Sequence, residues 1–218
     1  MKRSFGYTLV EMMVGMTVSL IVLASALAIF TVNTEFGTKQ LQNDFLRSQL
    51  NIIADTMKNE IARAGFCYDC SSVNPFIRPD GAGASSSILI DDSASKVEDG
   101  ECIRFAYNHD KRSGAMALDK DDAKGYRLGK DSRNNPVIEI YENWDALANW
   151  TCESGYWRDM TFDRLSIESL SFKRSLLQSV GSTNKAQVVE VTITASLKSD
   201  SSISDTVNFT VSVPNVDG

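Results

Sequence analysis

Apolar and polar positions divide the chain into three patterns. From Thr8 to Val32 nearly every position is apolar or small, and the one ionisable residue is Glu11. These 25 residues would span roughly 37 Å as a helix at ~1.5 Å rise, enough to cross a hydrocarbon core of about 30 Å. After Asn33 the apolar residues thin to a stripe. Leu46, Leu50, Ile53, Met57, Ile61 and Ala64 follow in steps of four and three, which is one face of an amphipathic helix. Gly37 is a point of weak helix propensity, and Gly65, directly after the last periodic residue, reads as a C-terminal cap. One helix is predicted from about Thr8 to Ala64, apolar all round in its first half and one-faced in its second.

Between Cys70 and Glu101 the chain is rich in Ser, Gly, Asp and Asn, a loop composition that leaves room only for short strands such as Ser87–Ile90. Strand patterns then take over: Cys102–Tyr107, Val137–Tyr141, Leu165–Ser175, Val188–Leu197 and Thr206–Val213. The last two alternate apolar with polar residues and flank the polar spacer 198–205, so they predict an antiparallel hairpin with one buried face. The fold class is α+β: a long N-terminal helix, membrane-spanning in its first half, packed on an antiparallel sheet. There is no internal repeat.

Composition narrows the function. The 218 residues carry 22 basic and 28 acidic side chains, a net charge of −6. This length builds one domain with a core plus an extra segment. The acids are spread out, as on a solvated surface, and there is no basic patch or stripe of the kind nucleic-acid proteins show.

Glu11 is the anomaly. A carboxylate deep in a membrane helix costs about 2.5–3.5 kcal/mol on insertion scales and marks a functional candidate. An ordinary signal peptide is the bland alternative, with "ASALA" at Ala24–Ala28 as its cleavage site. Such peptides have apolar regions of about 7–15 residues, and this one is longer. Lys2 and Arg3 put the N-terminus in the cytoplasm and the bulk of the chain outside. A cut between Gly6 and Tyr7 would create an α-amino group four residues before Glu11, a natural counter-charge in the same chain or a neighbouring one. It would also remove Lys2 and Arg3.

"GYTLVEMMV" resembles the type IV prepilin processing motif. The resemblance implies that Gly6 is the last leader residue recognised by prepilin peptidase. It makes Tyr7 the N-methylated mature N-terminus, and Glu11 the group that neutralises the N-terminus of an adjacent subunit. Two positions depart from the commonest pattern: Tyr7 stands where Phe is usual, and Ala28 stands where many major pilins have a helix-kinking Pro. In the rest of the chain "NEIARAGFCYDC", "CIRFAYN", "YWRDMTFDRLSIESLSF" and the closing hairpin are similar to the PilW-like minor pilins. The resemblance implies a leader at 1–6, a transmembrane and fibre-core helix at 7–33, and a periplasmic head at 34–218 that opens with the amphipathic helix 34–64. It further implies a single-pass inner-membrane protein that passes into a pilus fibre at the cell surface. Its partners would be prepilin peptidase, other minor pilins and the major pilin. No catalysis, cofactor, metal, nucleic acid or small-molecule substrate is expected. Two other readings stand beside it: a minor pseudopilin of type II secretion, and a membrane-tethered adhesin or binding module.

Cys67-x-x-Cys70, with Cys102 and Cys152, admits a redox pair, a zinc site or structural disulfides. A thioredoxin-like pair needs a strand before it and a helix after it, and here the order is helix, then loop. Cys102 and Cys152 form no second CxxC for zinc. Disulfides suit a head outside the cytosol; of the three connectivities, the expected one is Cys67–Cys70 with Cys102–Cys152. "DKDDAKG" at Asp119–Gly125 hints at an EF-hand loop, but Ala123 fails and Lys130 occupies the Glu position, so a solvated turn is expected. His109, the single histidine, reads as a surface residue. Trp144, Trp150, Tyr156 and Trp157 form either a binding surface for a sugar or protein, or packing at a sheet edge.

Overall fold

The computed structural model describes residues 6–70, 73–94, 100–110, 117–142, 147–178 and 185–214. The leader residues Lys2 and Arg3 and the loop residue Trp144 lie outside them. The chain divides into two compact units, Met1–Asp44 and Phe45–Gly218.

Helix α1 spans Leu9–Ile61 and runs through Gly37 without interruption. In the first unit its apolar side chains are exposed, Leu9, Met16, Leu20 and Phe30 among them. In the second unit Leu46, Leu50, Ile53, Met57 and Ile61 are all buried. The helix ends at Ile61 rather than Ala64. The chain tightens there: the Ala64 amide bonds the Ile61 carbonyl, three residues back, a 3-10 closure that commonly finishes a helix. Gly65 follows at φ +73°, a left-handed conformation that glycine adopts without a Cβ clash.

Two short strands, β1 (Arg78–Pro79) and β2 (Ser85–Ser86), form a ribbon. A five-stranded antiparallel sheet follows in the order β3-β4-β5-β6-β7. Its strands are Ile88–Ile90, Cys102–Ala106, Ala123–Lys130, Pro136–Tyr141 and Trp157–Asp159. Strands β8 (Leu165–Gln178), β9 (Lys185–Leu197) and β10 (Asp200–Val213) make a three-stranded antiparallel sheet in the order β10-β9-β8. The alternation read along the chain is therefore shared between two sheets. Gly100, on the approach to β4, exchanges two backbone bonds with Phe172 of β8.

Strand β5 was not expected. The segment read as a solvated turn is a single 3-10 turn, Lys120–Asp122, after which the chain enters β5 directly. Asp119 caps that turn, and the buried Asp122 carboxylate accepts from the backbone N–H groups of Asp119 and His109 at 2.9 Å each. The Asp119 and Asp122 carboxylates are taken up by backbone donors, as capping aspartates are. The polar spacer 198–205 is likewise mostly strand: Asp200 already pairs with Leu197, and Ile203 is buried.

The main core lies among the helix stripe, the inner face of the five-stranded sheet (Ile103, Phe105, Tyr126, Ile138) and the β8–β10 sheet. On β8 the apolar phase slips. Leu165 and Ile167 point inward, then Leu170 and Phe172 do, because the register shifts between Ile167 and Ser169. One extra residue in a strand is a β-bulge, and it restores the buried face after an out-of-step sequence.

Candidate functional site

The N-terminal segment is built around one carboxylate. Gly6, Tyr7 and Thr8 precede the helix and are exposed. Thr8 is the N-cap: its hydroxyl accepts from the Glu11 N–H at 3.2 Å. Glu11 reaches back, its Oε2 accepting from the Thr8 N–H and the Thr8 hydroxyl, both at 2.9 Å. This reciprocal pair is a capping box, which satisfies amide groups that the first helical turn leaves unpaired. The Gly6–Tyr7 peptide bond therefore sits outside the helix, in accessible backbone, while Glu11 is fixed one turn inside it. Thr8 was not singled out from the sequence, although the Thr-x-x-Glu spacing before an apolar run is itself the signature of this motif.

Beyond Glu11 the apolar span carries no idle hydroxyl. Thr17, Ser19, Ser25 and Thr31 each donate to a carbonyl three or four residues back. A segment that meets lipid or other helices has to satisfy its polar groups internally. Gly15 and Ser19, one turn apart, open a shallow groove lined by Met12, Met16, Leu20 and Leu23. Small residues at this spacing let a second helix approach closely.

In the head the cysteines join as Cys67–Cys70 and Cys102–Cys152, with sequence separations of 3 and 50. The first closes the turn after the helix. The second ties β4 to the segment 147–157, which folds over the outer face of the five-stranded sheet. Phe76, Ala106, Ala123, Tyr141 and Trp150 form a second, smaller core there.

Two arginines hold that segment down. Arg104 donates to the Trp150 carbonyl, pairs with Asp92, and lies 5.0 Å from the Trp150 ring. Arg127 donates to the Cys152 carbonyl at 2.7 Å, pairs with Glu139 at 2.6 Å, and lies 4.7 Å from the Trp157 ring. Burial pulls the Arg104 guanidinium below its usual pKa, and Asp92 opposes that pull. Trp150 is 3% exposed, with its indole N–H on the Lys124 carbonyl. Trp157 is half-buried against Tyr141, and Tyr156 alone of the three is exposed. The arrangement is packing in Trp150 and Trp157 rather than an open aromatic platform. His109 is exposed, 6.3 Å from the Tyr107 ring. Tyr107 donates to Glu60 at 2.6 Å, and its phenol is pushed up to about 12 by burial first and by that bond second.

Two family models match the chain. The model described as prepilin peptidase-dependent protein B covers residues 39–213, and that of the prokaryotic N-terminal methylation motif covers residues 1–31. No curated protein and no solved structure matches.

Proposed function

Because the chain belongs to the prepilin peptidase-dependent protein B family, we propose that it is a PilW-like minor pilin, a structural subunit that helps to start a type IV pilus. Prepilin peptidase cuts between Gly6 and Tyr7, removing the leader 1–6. The Tyr7 amine is then methylated. Residues 7–33 anchor the chain in the inner membrane before assembly and pack in the fibre core afterwards. Residues 34–218 form the head on the periplasmic side. The chain assembles with other minor pilins and the major pilin and does no chemistry of its own.

The observation that carries this reading is the geometry of the first turn. The scissile bond lies in exposed, non-helical backbone, and the Glu11 carboxylate is held by Thr8 through Oε2 alone among the described residues. Oε1 is left to accept an incoming amine. Before cleavage, Thr8 lowers the cost of carrying the acid near a membrane. During assembly, the N-terminal amine of a neighbouring subunit supplies the positive partner that the helix lacks. The packing of Trp150 and Trp157 weighs against the adhesin reading, because a stacking platform needs an open ring face. The pseudopilin reading shares the leader and the helix-on-sheet design; deletion of the gene, scored for pili and for secretion, separates the two.

N-terminal mass analysis of the membrane-extracted protein tests the proposal. The expected chain starts at a methylated Tyr7, having lost Lys2 and Arg3 of the 22 basic residues, so that its net charge moves from −6 to −8. A start at or beyond Ala28 would instead describe an ordinary secreted protein and end the pilin reading.

A further inference from the structure

We propose that the outer edge of β10, from Thr206 to Val213, pairs with an extended strand of a different pilin-like subunit, adding a fourth strand to the β10-β9-β8 sheet. This deepens the minor-pilin reading and rests on it.

Among the described strands β10 has one neighbour, β9. An exposed sheet edge is a row of unpaired N–H and C=O groups, and natural proteins blunt it with lysine, proline, a bulge or a short strand. None of these protects Thr206–Val213. The stretch TVNFTVSV has no charged residue and no proline. It pairs with Thr194–Gln187 of β9 without a register shift, and the one irregularity lies earlier, between Asp200 and Ser204. High β-propensity and zero charge make it a template for pairing.

The side chains make a second, independent case. Val207 and Phe209 face inward yet remain only half-buried, whereas the residues directly opposite them on β9, Ile193 and Val191, are 0% exposed. The apolar face of the sheet runs past its last strand. Another strand with apolar residues at alternate positions would cover both side chains while its backbone meets the free edge. The outward side chains Thr206, Asn208, Thr210 and Ser212 are neutral, so the incoming strand needs no compensating charge.

Area and geometry select the occupant. One strand pair buries far less than the ~1,200 Å² of a self-sufficient interface. The partner must therefore be held close by another attachment. The apolar helix upstream of the head provides one for any subunit that shares it, raising the effective concentration to the order of mM. A second copy fits poorly. Two β10 edges pair most simply about a two-fold axis, which closes after two chains. Subunits stacked in one direction along a fibre are related by a rise and a turn instead.

The test places a photo-crosslinking amino acid, one site at a time, in the full chain in fibre-forming cells. Asn208 and Thr210 probe the edge, Met16 probes the helix, and Glu153 is an exposed reference. Asn208 and Thr210 should link to another pilin-like subunit, and Glu153 should not. The double substitution Asn208→Lys/Thr210→Lys, at two exposed side chains, should lower recovery of that subunit by roughly tenfold with the melting temperature of the head unchanged. Links from Met16 without links from Asn208 or Thr210 would overturn the strand pairing and leave the pilin reading intact. No link to a pilin-like subunit from any site would overturn both. Links from the edge to a second copy of this chain would overturn the choice of partner.

Discussion

Removing the Cys102–Cys152 bridge should cost the head about twice what removing Cys67–Cys70 costs. The two bridges span sequence separations of 50 and 3. The loop-closure estimate gives about 4 kcal/mol for the first and about 2 kcal/mol for the second. The native state should change little in either case. Segment 147–157 stays docked without its sulfur link, because Arg127 still holds the Cys152 carbonyl at 2.7 Å, Asp92 still accepts from the Cys152 N–H at 3.0 Å, and Trp150 remains buried. The loss therefore falls mainly on the unfolded chain, which regains the freedom the bridge denied it. Urea denaturation of residues 34–218, comparing the parent with Cys102→Ala/Cys152→Ala and Cys67→Ala/Cys70→Ala, measures both terms. At roughly 2–4 °C per kcal/mol for a head of this size, melting temperatures should fall by roughly 8–16 °C and 4–8 °C. Reductant should bring the parent below either variant. If the Cys102/Cys152 pair costs under about 1 kcal/mol, or no more than Cys67/Cys70, the loop-entropy account is wrong.

Glu11→Val should leave membrane insertion intact, or improve it, because the carboxylate is costly there, while incorporation into the fibre fails; normal incorporation in a pilus-shearing assay would refute the assembly role. Thr8→Ala should weaken the first helical turn by about 1 kcal/mol through loss of the cap, with a smaller assembly defect than Glu11→Val, read in the same assay. Trp150→Ala should destabilise the head by about 3–5 kcal/mol, as for a buried aromatic, and Tyr156→Ala by less than about 0.5 kcal/mol; equal effects would contradict the packing of segment 147–157. In acid, two aspartates act in the same direction: Asp131 is held down to about 2, chiefly by the Asn135 side chain, and Asp80 is lowered chiefly by the Ala94 N–H. Both bind protons more readily unfolded than folded. Their stabilisation is present above the ordinary aspartate range and is lost as pH falls from about 4 toward 2. Urea midpoints at pH 5 and pH 3 should show the decline, with a shallower one in Asn135→Ala.

Local pattern was enough for the helix, the N-terminal methylation motif and most strands. The spacing of Leu46, Leu50, Ile53, Met57 and Ile61 is set by the helical repeat, and all five are buried. The alternation in Val188–Leu197 and Thr206–Val213 is set by the pleat, and these stretches pair as adjacent strands. The Thr8–Glu11 cap was equally legible, since both partners lie within one turn. The division into two sheets was not, nor was β5, nor the burial of Arg104. A strand such as Ala123–Lys130 carries Gly125, Arg127 and Gly129 at alternate positions, which reads as solvent-facing because the sequence shows no cover for them. The cover arrives from far along the chain. Arg104 meets Trp150 across 46 residues, and Arg127 meets Cys152 across 25. Side-chain periodicity records which way each residue points from its own backbone. Whether that direction leads to water or to another segment depends on contacts between distant parts of the chain, and those exist only once the sheets, the loop and the Cys102–Cys152 bridge have come together.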